Sequence, residues 1–581
     1  MKIEPHIADW ALARVRENPR LAAEAAARLK RMPCTMGIMP ASERVLRAEP
    51  ISTIIGLTAL IEGIGVSTAV AGAIGGAIVG VAISVGVNYA ASVLTRASQG
   101  SGPIPGSQAS ALSSTDAVSA TINSQAVQIV ERQAVPSKRV IYGTAKVSGA
   151  LFFEQVKPPF LYQGLLLSGP ITAFLSVLIG TQQIGFTSLT PNTILTPIAI
   201  DGQPNFPGAL LVSLRLGSST QAIDPLLAAN FPSLDLQFRQ RGIATAVLRY
   251  DYGGNFDNYT ALWGQVSRPN PLFLVQGVTV PDPRNPTHVL QYDPSDPVAT
   301  AAAEATWSWS NNASLVQTHY LIQRYGGRIN PSLINWDKVA RAADWDDGLL
   351  RNTDGTSIRR HTIDGVVTLN QTPATVLAGM IAANRGFVLE SAGRVWVSSS
   401  APRTPIATIH DGLLTGPVEY RAAKPKRDMA NRVKVRFVAA DREYQEVDGP
   451  VLARSDLKAL DGELLDTTLD LPFTMDVGNV GRVQRLQKAF LDNSRLGRQI
   501  SATCDVAWLA DCEDDPIGNS VVFDSVLFAQ ANGIYFVANW GFSDNFSSIV
   551  LSLTEYDPSI ETRYVAATDE KPFTLAPLNL S

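Results

Sequence analysis

Cysteine is nearly absent from this sequence. The three present, Cys34, Cys504 and Cys512, are too few for a disulfide framework, and no histidine or metal-ligand spacing accompanies Cys504 and Cys512. They read as core residues in a reducing compartment. Histidine is as sparse: His6, His288, His319, His361 and His410 are scattered, and His319, on a helical stretch, reads as a packed residue and not a base. Nor is there a P-loop, an HExxH, a GxSxG, or a GxGxxG placed between a strand and a helix. The acidic group Asp511, Glu513, Asp514 and Asp515 has the composition of a glycosidase pair or a cation site, but it sits in a Pro-Gly turn and reads as a solvated loop. The sequence therefore predicts no enzyme, no bound metal and no cofactor. It also lacks a basic excess, with 48 Lys and Arg against 52 Asp and Glu. Nucleic acid is not expected as the main partner.

One long stretch lacks charge altogether. From Gly63 to Thr95 nothing is ionised, and Glu62 is the single charge in the apolar run of residues 51–95, the body of a segment spanning 49–96. The run exceeds the roughly 20 apolar residues that cross a bilayer. Gly72, Gly76 and Gly80 repeat at a spacing of four, which lets helices approach closely. Three readings compete: a transmembrane anchor, a helix or hairpin enclosed with its copies inside an oligomer, and a segment first enclosed that meets a membrane later. The dominance of Gly, Ala, Ser and Thr over Leu and Phe favours enclosure, with Gly72, Gly76 and Gly80 as helix-helix or membrane contacts. As one helix it would be about 65 Å long, although its glycines favour a break.

At 581 residues the chain has room for several domains. Residues 1–48 read as a charged amphipathic helical region with no cleaved leader, implying assembly inside a cell. Residues 97–133 are Ser- and Gly-rich and read as a linker or extended arm. A β-rich domain follows over 134–300, an α/β domain over 301–400, a second β-rich domain over 401–560 and a tail over 561–581. The expected fold class is α+β, mainly β, a multidomain assembly of barrel- or sandwich-like units with small α/β modules and an N-terminal apolar helical segment.

Local signals place the elements. GIATAVLRY, from Gly242 to Tyr250, is apolar at nearly every position and predicts a strand covered on both faces. Gly164, Gly169, Pro170 and Gly180 cut the patch 160–186 into short core strands. A helix capped at Ser310 or Asn311 ends at Gly326-Gly327, and a second is capped by Asn335, with Trp336, Val339, Ala340 and Ala343 inward and Lys338 and Arg341 outward. Thr372 caps a third, with Pro373 at its first position. Ala392-Gly393 joins two short strands, and Asn532-Gly533 predicts a tight hairpin. Alternation in NRVKVRF buries Val433, Val435 and Phe437 and leaves Arg432, Lys434 and Arg436 as a basic face, for phosphate, solvent or a sister subunit. In the helix near 481–495, Val483, Leu486 and Phe490 form a stripe against Arg482, Arg485 and Lys488.

Several of these pieces, in this order, resemble a known family. RGIA, NPLFLVQGVTVPDPR, WSWSNNASLVQTHYLIQRYGG and INWDKVARAAD, all within 241–344, are similar to the central tail hub, or tip attachment protein, of long non-contractile-tailed bacteriophages. Arg139, Val140, Tyr142 and Gly143 match that family's Arg-Val-x-Tyr-Gly element, Gly217 and Gln221 its Gly-x-x-x-Gln stretch, and NRVKVRF, LDLPF and LTEYDPSI its tube-forming domain. The resemblance spans roughly 135–575. It implies a virion protein at the distal tail tip that forms a homotrimer, closes the tube beneath the distal tail protein ring, meets the tape measure protein, and opens for DNA ejection. DNA would pass only in transit. The sequence stops at Ser581 without the fibronectin-like repeats and host-binding region of larger members, so separate fibre or receptor-binding proteins would supply recognition. The alternative is a membrane-inserting or pore-forming protein acting through residues 51–95, with host membrane contact there.

Overall fold

A computed structural model describes residues 128–573, apart from 134–135, 181, 200–207, 235, 254–262, 264–268, 478–479 and 544–546. The expected N-terminal helical region, the apolar run with Gly72, Gly76 and Gly80, and most of the 97–133 linker lie outside the described residues. Within them the fold is α+β and mainly β. No helix among them is long and apolar enough to cross a membrane.

The first unit is two sheets face to face. Strand β1 (Arg139–Tyr142) leads into them, and β2 (Thr144–Val147), β3 (Ala150–Lys157), β4 (Phe160–Ser168), β5 (Ala173–Ile179), β6 (Gln182–Ile184), β7 (Ile194–Leu195), β8 (Leu210–Arg215), β9 (Ala244–Asp251) and β10 (Pro271–Gln276) supply them. The orders are β3-β4-β9-β8-β7 and β2-β10-β5-β6. Alternate residues of β4, β8 and β9 (Leu165, Val212, Leu248) meet Phe174, Val177, Phe273 and Val275 in one core. The other face of β9 is covered too: Val247 packs with Leu226 and Leu227 of helix α1 (Pro225–Asn230). That explains why this strand is apolar at almost every position.

Gly143 divides the first strand. Its φ is +59°, and a Cβ there would lie 2.3 Å from the Ile363 carbonyl oxygen, so only glycine fits. The chain thereby leaves one sheet for another. β1 pairs with β15 (Gly365–Thr368) of the next unit, while β2 pairs with β10. The stretch 139–147 is thus shared between two sheets, because β10 and β15 each offer it an edge that local sequence does not reveal.

The second unit is built on helices α2 (Pro297–Glu304), α3 (Ala313–Ile322), α4 (Trp336–Asp346) and α5 (Pro373–Ala382), with three antiparallel pairs: β11 (Thr279–Val280) with β12 (Ser308–Trp309), β13 (Leu349–Arg351) with β14 (Ser357–Arg359), and β16 (Phe387–Ser391) with β17 (Arg394–Ser398). Asn335 and Thr372 cap α4 and α5 as expected. The α3 cap is Asn312, not Ser310 or Asn311. Asn312 wins because its other amide end is held: Nδ2 donates to the Ala343 carbonyl of α4 at 2.8 Å. Ala392 and Gly393 both have positive φ, 50° and 72°, as a two-residue turn between such strands requires.

The last unit holds two sheets. In one, β20 (Arg432–Ala439) is flanked by β21 (Gln445–Asp448) and β22 (Leu452–Ala453) on one side and by β23 (Asp466–Asp476), parallel, on the other. Helix α6 (Ser455–Asp461) precedes β23, and α7 (Gly481–Arg495) packs Val483, Leu486 and Phe490 under Val433, Val435 and Phe437. The other sheet has the order β18-β25-β26-β27-β24-β19, its strands being β18 (Pro405–His410), β19 (Leu414–Arg421), β24 (Gln499–Asp505), β25 (Ser520–Asp524), β26 (Gly533–Phe542) and β27 (Ser548–Glu555). Its two edge strands are joined by Asp411–Leu413 alone. Four residue steps reach about 14 Å, whereas six flat strands would span about 24 Å. The sheet must curl until its ends approach, around Ile409, Trp508, Phe523, Tyr535 and Leu551.

Asn532-Gly533 is not the tight turn between β25 and β26. Eight residues, 525–532, make the connection, and Asn532 ties it shut: its Oδ1 accepts from Ser525 N at 2.8 Å and its Nδ2 donates to Asp524 at 3.3 Å. Asp411 fixes the far side through Ser525 Oγ and Val526 N.

Candidate functional site

Of the segments quoted between 139 and 344, those carrying β1, Val280, α3 and α4 come together at one place, against α5, while Ala244 of RGIA and Phe273 and Val275 of β10 lie in the core of the first unit. Val140 and Tyr142 of β1 share a core with Leu315, Val316 and Tyr320 of α3, Trp336 and Val339 of α4, and Val376 and Met380 of α5. Polar groups are sealed into this core in two clusters. In the first, Tyr142 Oη lies 2.9 Å from His319 Nδ1 and 3.0 Å from Tyr325 Oη. His319 Nε2 lies 3.0 Å from Gln323 Nε2. An amide NH₂ only donates, so His319 Nε2 accepts, Nδ1 carries the proton, and Tyr142 receives it and donates on to Tyr325. Tyr142 and Trp307 set their rings edge-on to the imidazole.

Burial pushes His319 down to about 3, so it stays neutral in ordinary buffers. Burial also raises the Tyr142 and Tyr325 hydroxyls. None of the three is placed to exchange protons with a substrate. They link strand to helix.

In the second cluster, Asp346 at the end of α4 accepts from Ser314 N at 2.9 Å and Ser314 Oγ at 2.5 Å, and from Asn384 Nδ2 at 3.4 Å. Gln317 Nε2 donates to Met380 O at 2.9 Å and Asn384 Oδ1 at 3.0 Å. The first turn of α3 is thus capped by two acceptors, Asn312 from its own chain end and Asp346 from its neighbour. Burial pushes the Asp346 carboxyl up to about 7, against the opposing donors. Alongside, buried Asp364 accepts from Thr144 N at 2.8 Å and from Asn311 Nδ2 at 3.2 Å, which fixes the corner at Gly143. His361 is held well below its ordinary value by burial first, then by the guanidiniums of Arg360, Arg482 and Arg385.

Other candidates separate in space. The basic face of β20 is neutralised within the chain: Arg432 and Lys434 both bind Asp466, at 2.6 and 3.0 Å, and Arg436 meets Asp448 at 3.4 Å. That pairing leaves little field for phosphate. In the acidic loop, Asp514 faces Lys338 at 3.5 Å and Arg341 at 3.7 Å, and Asp515 accepts from Ile517 N at 3.0 Å. Among the described residues no group of three His, Cys, Asp or Glu side chains could hold a metal. Cys504 is buried in the curled sheet and Cys512 lies at its margin, both thiols pushed up to about 12 by burial.

Two side chains expected outside are drawn in. Lys338 lies over the Trp396 ring, 4.3 Å from its centroid. Arg482 is buried and donates from Nε and Nη2 to the Arg359 carbonyl at 3.1 and 2.9 Å. A guanidinium can satisfy a carbonyl beneath a helix while its stem packs, which a stripe count does not foresee. Asp346 and Asp364 were missed as well. For Asp346 a signal existed, because Trp336, Val339, Ala343 and Asp346 step by three, four and three along one face of α4.

No family model matches the chain, and no curated protein does. Among solved structures the chain is similar to one from the virion of a native gene transfer agent particle, at 15% identity and a TM-score of 0.48, over 74% of this chain and 87% of that one. It is also similar to a tail protein from Neisseria meningitidis MC58 (11% identity, TM-score 0.26, 75% and 97% covered). A third is the 43 kDa tail protein of prophage MuSo2 from Shewanella oneidensis (11%, 0.24, 73% and 96%).

Proposed function

We propose that the chain is a structural virion protein: a hub subunit of a phage tail tip, trimeric, that closes the tail tube and opens for DNA ejection. The supporting observation is convergence. The tail-hub-like segments lie far apart in sequence, yet β1, α3 and α4 pack into one core whose titratable groups are spent on each other. Such a junction suits a part that must hold shape under load, and gating between such parts needs a bistable interface, not a reacting side chain. In this reading the partners are two further copies, the distal tail protein ring, the tape measure protein and separate fibre or receptor-binding proteins. DNA passes through only in transit.

Gold-labelled antibody against the chain should decorate the distal end of purified tails. Label spread along the tube or on the capsid overturns the placement. Cysteines introduced at Gly76 should cross-link copies into trimers in intact particles, and absence of linkage counts against helices enclosed together there. Deleting residues 1–100 separates the membrane alternative: a pore former loses liposome binding, whereas a hub keeps an oligomerising body.

A further inference from the structure

The connection between β20 and β21 does not end in solvent. It reaches across to the first unit. Glu443 and Tyr444 at its tip have φ of 57° and 58°, two successive non-glycine residues in the left-handed region. Such backbone persists only where surroundings hold it, and it is concentrated at clamps and switches. Here the surroundings are identifiable. The Glu443 carboxylate pairs with Lys146 of β2, a lysine only 4% exposed, while the glutamate remains 36% exposed. The carbonyl oxygens of Glu443 and Tyr444 accept from Gln128 Nε2 at 2.7 and 3.4 Å. Gln128 is held from behind as well, since Asn270 Nδ2 donates to its carbonyl at 3.0 Å and Asn270 Oδ1 accepts from Val130 N at 3.1 Å.

We propose that the β20–β21 tip is a releasable latch that pins the start of the N-terminal arm, at Gln128, against the first unit. Its contacts are polar and few, with one partner open to water, so it opens at much lower cost than the apolar cores on either side. Because the tip grips Lys146 and Gln128 together, a pull on the arm is delivered to the β20–β21 hairpin, and movement of the hairpin frees the arm. Gln128 is thereby coupled to the C-terminal unit, 315 positions along the chain. Release needs no catalytic group.

Amide hydrogen exchange on the full chain tests this with Lys146→Met and Gln128→Ala. Each should raise exchange at least about tenfold in peptides covering both 128–133 and 440–446, while α7 and β26 keep wild-type rates. Lys146→Arg, which restores the cation, should return both peptides toward wild type. A change confined to the substituted side refutes the coupling, and no change at either peptide refutes the latch. Acceleration spread equally over α7 and β26 assigns the contact a general stabilising role and overturns the proposal.

Discussion

The junction of β1, α3, α4 and α5 and the curled sheet of β18, β19 and β24–β27 are both well buried, yet they are held in different ways. The curled sheet surrounds side chains that are almost wholly apolar, Ile409, Trp508, Val521, Phe523 and Leu551 among them. The junction interleaves apolar residues with Tyr142, His319, Ser314, Gln317, Asp346 and Asn384, each hydrogen-bonded across element boundaries. Apolar contact is tolerant of small shifts, whereas a buried hydrogen-bond network has one geometry. The junction is thus specified for register and the sheet for bulk stability.

Substitutions at four positions test that contrast. Trp508→Ala should have the largest effect, about 3–5 kcal/mol lost in urea unfolding, because it empties the centre of the sheet. A smaller loss than at the junction would reverse the assignment. Asp346→Ala should cost about 2–3 kcal/mol, since the Ser314 amide and hydroxyl lose their acceptor in a buried site. The same carboxyl carries a pH signature. Its folded value near 7 exceeds the ordinary value near 4, so folding takes up a proton between them. Its contribution is full below about pH 4 and is lost as pH rises through 7. Asp346→Asn should flatten that part of the stability profile, and an unaltered slope would place the titration elsewhere.

Tyr142→Phe should cost about 1–2 kcal/mol, as His319 and Tyr325 each lose a partner. Its sharper readout is the His319 ring in NMR, which should lose its hydrogen-bonded Nδ1 proton signal while the sheet is untouched. Smallest is Arg436→Ala at the rim of β20, where the exposed pair with Asp448 is worth under about 0.5 kcal/mol in thermal or urea unfolding. A larger loss would mean that the basic face is structural after all.

Local rules were legible where the reason for an element is local. Asn335 and Thr372-Pro373 cap their helices, the alternation of Val433, Val435 and Phe437 gives β20, and Ala392-Gly393 turns as expected. They failed where a distant partner decides. Asn312 displaced its neighbours as the α3 cap because Ala343 of α4 holds it, and Asn532 became a tie for a longer loop because Ser525 and Asp524 were near. Lys338 and Arg482 look outward by periodicity, but Trp396 and the Arg359 carbonyl draw them in. The chain offers no local hint that β1 and β2 serve two sheets beyond the lone Gly143. The candidate site was half legible: His319 stood out as a packed residue, and the buried acids Asp346 and Asp364 did not.

In the proposed role the chain closes a tube and is not a reagent. Counting subunits at the tail tip by particle imaging tests that most directly: three copies of this chain around the tube axis are expected, with the β1–α3–α4 junctions related by that axis. A stable lone monomer that turns over a small compound, with no copies at the tip, would contradict it.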